Sequence, residues 1–310
     1  MKVAFLNNQI DNRGTGNALY DYAHYNEEIL GNESIVATLN TQNPNPFMEK
    51  KLALRFKYIY TAWDLVRMKD LDYIYHIKSG ELDSTTFSGV PYGVHAVFNP
   101  TQPHGTRYAT ISSWMSAKYG VPFVPHIVRS SLPTMDFRMK YNIPKKARVF
   151  GRHGGSDTFD ISWAWDAVND ALYLDKNVYF LFLNTDYPQG VNFYDGKRVV
   201  FVDQTADENF KASFIGACDA MLHARSRGET FGIAVGEFAV AGKTVLTYGE
   251  SGERAHLEYL GPLAYVYNNK AQLLKGLMEV KPNAHLRSHY DQFTPEKVMS
   301  TFKEVFLDGI

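Results

Sequence analysis

The chain alternates short apolar segments with amphipathic ones, and this alternation restricts its fold more than any other feature. In the first half, buried strands are predicted at residues 3–6, 34–40, 73–77 and 94–98, with a helix between the first two. Strands that alternate with helices form parallel sheets, because a parallel connection needs a crossover of helical length. The pattern therefore predicts a doubly wound α/β domain.

The same alternation stops and then begins again. Residues 122–144 contain four prolines and little periodicity, which indicates a boundary between domains. Beyond it, strands are predicted at 148–150, 178–183, 199–202, 220–222 and 244–247, and helices at 160–174, 208–218 and 232–241. We therefore expect two Rossmann-like domains, residues 1–130 and 131–294, followed by a helix at the C-terminus.

Composition and charge exclude several classes of protein. The chain has 310 residues, of which 45% are apolar, and a formal net charge of -1, so neither disorder nor a nucleic-acid partner is indicated. The single cysteine, Cys218, excludes an internal disulfide and a cysteine-based zinc site. The sequence predicts no transmembrane segment and no signal peptide, so we expect a soluble, cytoplasmic protein.

Ligands of doubly wound domains bind at the carboxyl ends of the strands. The informative turn is residues 223–237, where a strand ends, a helix begins, and Glu229 and Glu237 lie eight positions apart. Unpaired amides around Gly232 form an anion site, because the helix N-terminus carries partial positive charge. Carboxylates beside such a site can accept hydrogen bonds from sugar hydroxyls. The combination suits a nucleotide-sugar.

Glu229 and Glu237, with Ser226 before them and Phe231-Gly232 between them, resemble the donor signature of the retaining family-four glycosyltransferases. The resemblance implies a GT-B fold, in which two Rossmann-like domains with parallel sheets face a deep cleft. It implies that Glu229 contacts the donor sugar as a catalytic residue and that Glu237 binds the ribose. The backbone assigned to the diphosphate is that of Thr230, Phe231, Gly232 and Ile233.

The resemblance extends to the first domain, which it makes the acceptor side. Gly14 and Gly16 match the family's glycine-rich loop near the donor phosphate. His95 ends a strand where the family places a histidine near the reacting centre, although a structural core histidine fits this position equally well. His104 competes for the same role from a loop. The helix at residues 295–310 is expected to pack back onto this domain, as family tails do.

In the second domain, Arg152 matches the family's phosphate-binding arginine. The family has a lysine six positions later, where this chain has Thr158, and Lys243 or Arg254 are the candidates to replace its charge. Weaker base-binding candidates, acting through their backbone, are Val202, Gln204 and Thr205.

The resemblance implies a hexosyl- or pentosyltransferase that retains anomeric configuration and uses a UDP- or GDP-linked sugar. A glycan or another hydroxyl compound is the expected acceptor, and neither a metal nor another cofactor is required. Two alternatives stay open. One is a non-catalytic nucleotide- or sugar-binding relative, which the loss of the lysine at Thr158 favours, and the other is a nucleotide-sugar epimerase on the same fold.

Overall fold

The computed structural model describes residues 1–56, 59–281 and 285–310. Contacts divide the chain into two units. Unit 1 consists of Met1–Ile127 and Gln292–Ile310, and unit 2 consists of Val128–Asp291. The division after Ile127 falls in the proline-containing segment, where the sequence analysis places it after residue 130.

Unit 1 is built on a six-stranded parallel sheet in the order β3-β2-β1-β4-β5-β6. Its strands are β1 (Lys2–Gln9), β2 (Glu33–Asn40), β3 (Ile59–Thr61), β4 (Tyr73–Lys78), β5 (Tyr92–Ala96) and β6 (Arg107–Thr110). The chain runs outward from β1 in both directions, so the order reverses between β1 and β4. In doubly wound folds a crevice for ligands opens at this point.

The helices of unit 1 cover both faces of this sheet. They are α1 (Gly14–Glu28), α2 (Pro46–Phe56), α3 (Ala62–Arg67) and α4 (Ser113–Tyr119). The C-terminal helix, Pro295–Phe302, continues as a π-helical turn to Leu307. The ring centroid of Phe302 lies 5.2 Å from that of Tyr22 and 5.2 Å from that of Tyr75. The C-terminal segment is therefore part of the aromatic core of unit 1.

Unit 2 repeats the architecture with the order β14-β12-β10-β7-β8-β9. Its main strands are β7 (Arg148–His153), β8 (Val178–Leu183), β9 (Val199–Val202), β10 (Ala220–His223), β12 (Thr244–Tyr248) and β14 (Tyr265–Tyr267). A separate two-stranded ladder joins β11 (Gly228–Glu229) to β13 (Glu253–Arg254). The order reverses between β7 and β10, which brings the carboxyl ends of these two strands to the ligand-binding position.

The helices of unit 2 are α5 (Phe137–Lys140), α6 (Ser162–Leu174), α7 (Glu208–Ala217), α8 (Ile233–Val240), α9 (Ala255–Leu260), α10 (Lys270–Glu279) and α11 (Leu286–His289), with 3-10 turns at Gly196–Arg198 and Gly261–Leu263. Helix α6 shows why they form. It buries Ala164, Val168, Ala171 and Leu172 on one stripe, a spacing that places them on the face turned to the sheet.

The two parallel sheets confirm the predicted fold class. Several elements were not predicted from the sequence: α2, β3, α3 and β6 in unit 1, and α5, α9, β14, α10 and α11 in unit 2. Strands β3 and β14 have only three residues each, and α2 and α3 expose several apolar side chains. In the described part of the chain, no helix combines the length and the apolar character that crossing a membrane requires.

Candidate donor site at the carboxyl edge of unit 2

Three neighbouring strands bring the candidate residues together. Strand β7 ends at Arg152 and His153, and β10 ends at His223, on the other side of the reversal in strand order. In β12, Thr247 is the register partner of His223. Because parallel strands present their carboxyl ends at one edge, these side chains belong to a single site.

The turn after β10 is held from two sides. The Asp160 carboxylate accepts hydrogen bonds from the Ser226 amide at 2.6 Å and from the Ser226 hydroxyl at 2.8 Å. On the other side, Gly228 pairs with Glu253 in the β11–β13 ladder. These contacts fix the backbone on which Glu229 is carried.

Glu229 is held between two basic side chains. Its Oε1 lies 3.2 Å from His223 Nε2, and its Oε2 accepts a hydrogen bond from Arg225 Nη1 at 2.7 Å. Burial would raise the pKa of Glu229, but the hydrogen bond from His223 and the charge of Arg225 outweigh it and lower the pKa to about 2. The side chain is 20% exposed, so an ionised carboxylate reaches the surface of unit 2.

This depressed pKa makes the stability of unit 2 dependent on pH. In an unfolded chain the same carboxyl titrates near 4.5, so its stabilisation is complete above that pH and is lost as the pH falls towards 2. The difference corresponds to about 3 kcal/mol. We expect urea unfolding to show a larger loss of stability between pH 6 and pH 3 for the wild type than for Glu229→Gln. Equal losses would contradict the assignment.

The first turn of α8 adjoins Glu229 and is suited to an anion. Gly232 precedes the helix with a backbone φ of 93°, which residues other than glycine rarely adopt. No side chain of the described residues caps the helix there. Thr230 and Phe231 are buried, while Ile233 is half-buried. The amides of this turn are among the orphan donors of a helix N-terminus, where the helix dipole favours negative charge.

Arg152 lies at the carboxyl edge of the sheet, as predicted, but its guanidinium already donates hydrogen bonds to other residues of unit 2. Its Nη1 donates to the Asn184 carbonyl at 3.0 Å and to Thr185 Oγ1 at 2.6 Å, and its Nη2 donates to the Gly155 carbonyl and to Thr158 Oγ1. Burial lowers the pKa of Arg152 to about 10, so the guanidinium stays charged at neutral pH. A phosphate contact would require it to exchange one of these bonds.

The structure separates the two candidates for the missing lysine charge. Lys243 precedes β12 and therefore lies at the amino edge of the sheet, opposite the site, so we correct its assignment. Arg254 follows β12 and lies on the site's side, where its Nη1 donates to the Gly249 carbonyl at 2.7 Å. Thr158 itself supports Arg152 as a hydrogen-bond acceptor.

Glu237 belongs to a buried cluster of charges. Its Oε1 lies 2.5 Å from Lys211 Nζ. Its Oε2 lies 3.0 Å from His153 Nε2, but the geometry of this second contact is not that of a hydrogen bond. Glu208 pairs with Lys211 at 2.9 Å and with Arg129 at 2.8 Å. Burial would raise the pKa of Glu237, but the charge of Lys211 and the contact with His153 lower it.

Beside this cluster is a cavity of about 270 Å³ within unit 2. Glu208, Lys211 and Glu237 line it, together with the segment 129–133. Gly216, Ala241 and Lys243, at and beyond the C-terminal ends of α7 and α8, also line this cavity, so it extends towards the amino edge of the sheet. The ribose-binding role of Glu237 stays a prediction.

The predicted base-binding residues follow β9. The Val202 carbonyl accepts a hydrogen bond from the Asn184 amide at 2.9 Å, and Thr205 Oγ1 accepts one from the Asp207 amide at 3.0 Å. Gln204 is half-buried. Asp207 caps α7, so this loop leads directly to the cluster around Glu208. A base-binding role for the loop stays a prediction.

In unit 1, Gly14 opens α1 and Gly16 lies in its first turn. A Cβ atom at Gly16 would lie 2.0 Å from the Asp11 carbonyl oxygen, so the loop can pack here only against glycine. The requirement for Gly16 therefore has a structural cause, and the predicted phosphate contact of both glycines stays a prediction.

His95 is a core residue of unit 1, and this placement argues against the predicted catalytic role. It has no exposed surface, its Nδ1 lies 2.6 Å from the Tyr75 hydroxyl, and its Nε2 faces the carbonyls of Thr110 and Val124 at 3.1 and 2.9 Å. The ring also packs against Phe306 of the C-terminal segment. Burial lowers the pKa of His95 to about 4, as for a neutral structural histidine. We leave His95 out of the proposed mechanism.

Four side chains that surround the two glutamates were not predicted from the sequence: His223, Arg225, His153 and Lys211. A signal existed for the first two, because three basic residues, His223, Arg225 and Arg227, occur within the six positions before Glu229. None existed for Lys211 and His153, which come from other elements. Within the described ranges, no group of three or more His, Cys, Asp or Glu side chains is arranged to hold a metal ion.

No family model matches the sequence, and no curated protein matches it either. Solved structures do match. HepE of Anabaena, in complex with UDP-glucose, has a TM-score of 0.68 at 13% identity, over 98% of this chain and 98% of that chain. A glycosyltransferase from Rickettsia africae gives 0.67 at 12%, over 100% and 99%.

A third structure is WaaG, a glycosyltransferase involved in lipopolysaccharide biosynthesis. It has a TM-score of 0.66 at 12% identity and covers 99% of this chain and 100% of that chain. Identities this low show the fold alone. The chain therefore has the GT-B fold, the pair of Rossmann-like domains that these glycosyltransferases share.

Proposed function

We propose that the protein is a family-four-type glycosyltransferase that moves a sugar from a nucleoside-diphosphate sugar to a hydroxyl acceptor, with retention and without a metal. The observation that carries the proposal is the position of Glu229. An ionised carboxylate reaches the surface beside the uncapped first turn of α8. A donor needs this pairing of an anion site for its diphosphate with an acceptor of hydrogen bonds from its sugar hydroxyls.

The structural neighbours favour one donor among those predicted. HepE has been solved with UDP, with UDP and glucose, and with UDP-glucose. Because this chain shares the fold of HepE and carries the donor signature, we propose a uridine nucleotide before a guanosine one.

In the proposed reaction, the bond between the sugar C1 and the diphosphate oxygen breaks, and a bond from C1 to the acceptor oxygen forms. The acceptor proton passes to the departing diphosphate. Amides at the start of α8 and the charge of Arg225 stabilise the negative charge of the leaving group where it develops. Glu229 orients the sugar, and Glu237 is proposed to bind the ribose.

The test is thermal unfolding in the presence of UDP, GDP, UDP-glucose and GDP-mannose, each with Mg²⁺ and with EDTA. A ligand at 100 times its Kd stabilises the folded state by about 2.7 kcal/mol, which raises the midpoint by a few degrees in a chain of this size. We expect a rise with the uridine ligands that is equal in Mg²⁺ and EDTA. No rise with any nucleotide would contradict the proposal, and a rise only in Mg²⁺ would overturn metal independence.

A second candidate is a nucleotide-sugar-binding protein without transferase activity. The observation that favours it is the engagement of Arg152 by four acceptors, one of which is the Thr158 hydroxyl that replaces the family's lysine. Donor binding without release of UDP, across a broad panel of hydroxyl acceptors, would select this alternative.

A further inference from the structure

A chain of hydrogen bonds leads from Glu229 into the interior of unit 2. His223 Nε2 lies 3.2 Å from Glu229 Oε1, and His223 Nδ1 lies 2.8 Å from Thr247 Oγ1. His256 Nε2 lies 3.1 Å from the same Thr247 oxygen. Thr247 and His256 have no exposed surface and His223 is 6% exposed, so water does not reach the hydrogen bonds between these three side chains.

The direction of each hydrogen bond follows from its two ends. An ionised Glu229 only accepts, so His223 Nε2 carries the proton between them. In a neutral ring the other nitrogen, Nδ1, then has no proton and must accept one from the Thr247 hydroxyl. That hydroxyl has a single proton, so its oxygen accepts from His256 Nε2.

The far end of the chain agrees with this assignment. Burial lowers the pKa of His256 to about 3, so its ring is neutral and carries one proton, which the hydrogen bond to Thr247 assigns to Nε2. Among the described residues this buried Nδ1 has no hydrogen-bond partner, so the series of hydrogen bonds ends at His256. With both rings neutral, each proton along these hydrogen bonds therefore has one acceptor.

We propose that Thr247 and His256 are positioning residues that complete the hydrogen bonds of His223 in its Nε2–H tautomer, hold its ring in place and thereby present Glu229 to the donor sugar. The proposal rests on the proposed function. In the other tautomer a bare Nε2 would face the carboxylate, and Arg225 would hold it by Oε2 alone. Glu229 is assigned to the sugar and not to the nucleotide. Loss of these hydrogen bonds should therefore lower the affinity only for ligands that carry a sugar.

The test compares the affinities of UDP and UDP-glucose by calorimetry in Thr247→Val, which keeps the shape of the side chain and removes its hydroxyl. We expect UDP-glucose to bind about tenfold more weakly, which corresponds to one lost hydrogen bond, and UDP to bind within about twofold of the wild type. Thr247→Ser, which restores the hydroxyl, should restore the affinity for UDP-glucose. Equal weakening of both ligands would indicate a merely structural role and overturn the proposal.

A second measurement does not depend on nucleotide binding. In protein labelled with ¹⁵N-histidine, two-bond ¹H–¹⁵N spectra report which ring nitrogen of His223 carries the proton. We expect Nε2–H in the wild type and in both variants, and in Thr247→Val an Nδ1 resonance shifted to that of a ring nitrogen that accepts no hydrogen bond. An Nδ1 resonance that is unchanged in Thr247→Val would overturn the proposal, whereas a wild type that binds no nucleotide would contradict the proposed function alone.

If Thr247→Val does not fold, His256→Phe tests the same series of hydrogen bonds at the end far from Glu229. It keeps an aromatic ring in the core and removes the donor to Thr247 Oγ1. We expect a smaller weakening in the same direction, with UDP-glucose affected and UDP unchanged. No difference between the two ligands would count against the proposal.

Discussion

Glu229→Gln is expected to lower the rate of sugar release from UDP-glucose by about two- to thirtyfold. The substitution keeps the shape of the side chain but removes the charge that His223 and Arg225 hold ionised. A hydrogen bond to a charged group contributes about 1.5–3 kcal/mol, against about 1 kcal/mol for a neutral one. The readout is UDP released with water as acceptor, which requires no knowledge of the natural acceptor.

The matched control is Glu279→Gln, which removes a carboxylate that is 63% exposed at the C-terminal end of α10. We expect its rate to equal that of the wild type. UDP binding by Glu229→Gln should also be nearly unchanged, because the diphosphate is assigned to the start of α8. Equal rates for the wild type and Glu229→Gln would remove Glu229 from the site.

Lys211→Met is expected to lower the free energy of unfolding by about 3–5 kcal/mol, since it leaves Glu237 buried with its main counter-charge removed. In a chain of this size that corresponds to a fall of about 10 °C in the unfolding midpoint. The effect is on stability and is measured by urea and thermal unfolding without ligand.

Two further variants make this test specific. Lys275→Met removes a lysine that is 66% exposed and lies 3.9 Å from Glu279, so we expect a loss below about 0.5 kcal/mol. In the double variant Lys211→Met with Glu237→Gln, the uncompensated charge is absent and much of the stability should return. A loss in Lys211→Met no greater than that in Lys275→Met would show that the cluster does not support unit 2.

Much of the fold was predictable because it depends on local patterns. The period of the apolar residues identified β1, β4, β7, β8 and β10 and the long helices α1 and α6. The parallel arrangement follows, since helical crossovers leave no other pairing. Elements such as β3 were not predictable, because three residues carry no period.

For the candidate site, the sequence indicated the turn that carries Glu229 but not the chemistry around it. Arg225 and Glu229 are close in sequence, and their contact is local. Thr247, His256 and Lys211 reach the two glutamates from distant elements through strand register and helix packing. No local pattern encodes such neighbours.

His95 shows the same limit from the other direction. Its position near the end of a strand fitted a catalytic histidine, and only packing decides which way its ring points. The C-terminal segment, two hundred residues later, covers that face of the sheet and places Phe306 against the ring.

By itself, the sequence determined the two α/β units, the strand-to-helix turns and the glutamate pair, because each is written in residues close together along the chain. Only the tertiary structure decided which charges are paired, which histidine is buried and which carboxylate stays ionised at the surface. The physical reason is that burial and pairing depend on contacts between residues far apart in sequence, and a carboxylate's pKa responds to those contacts and not to its own position in a motif.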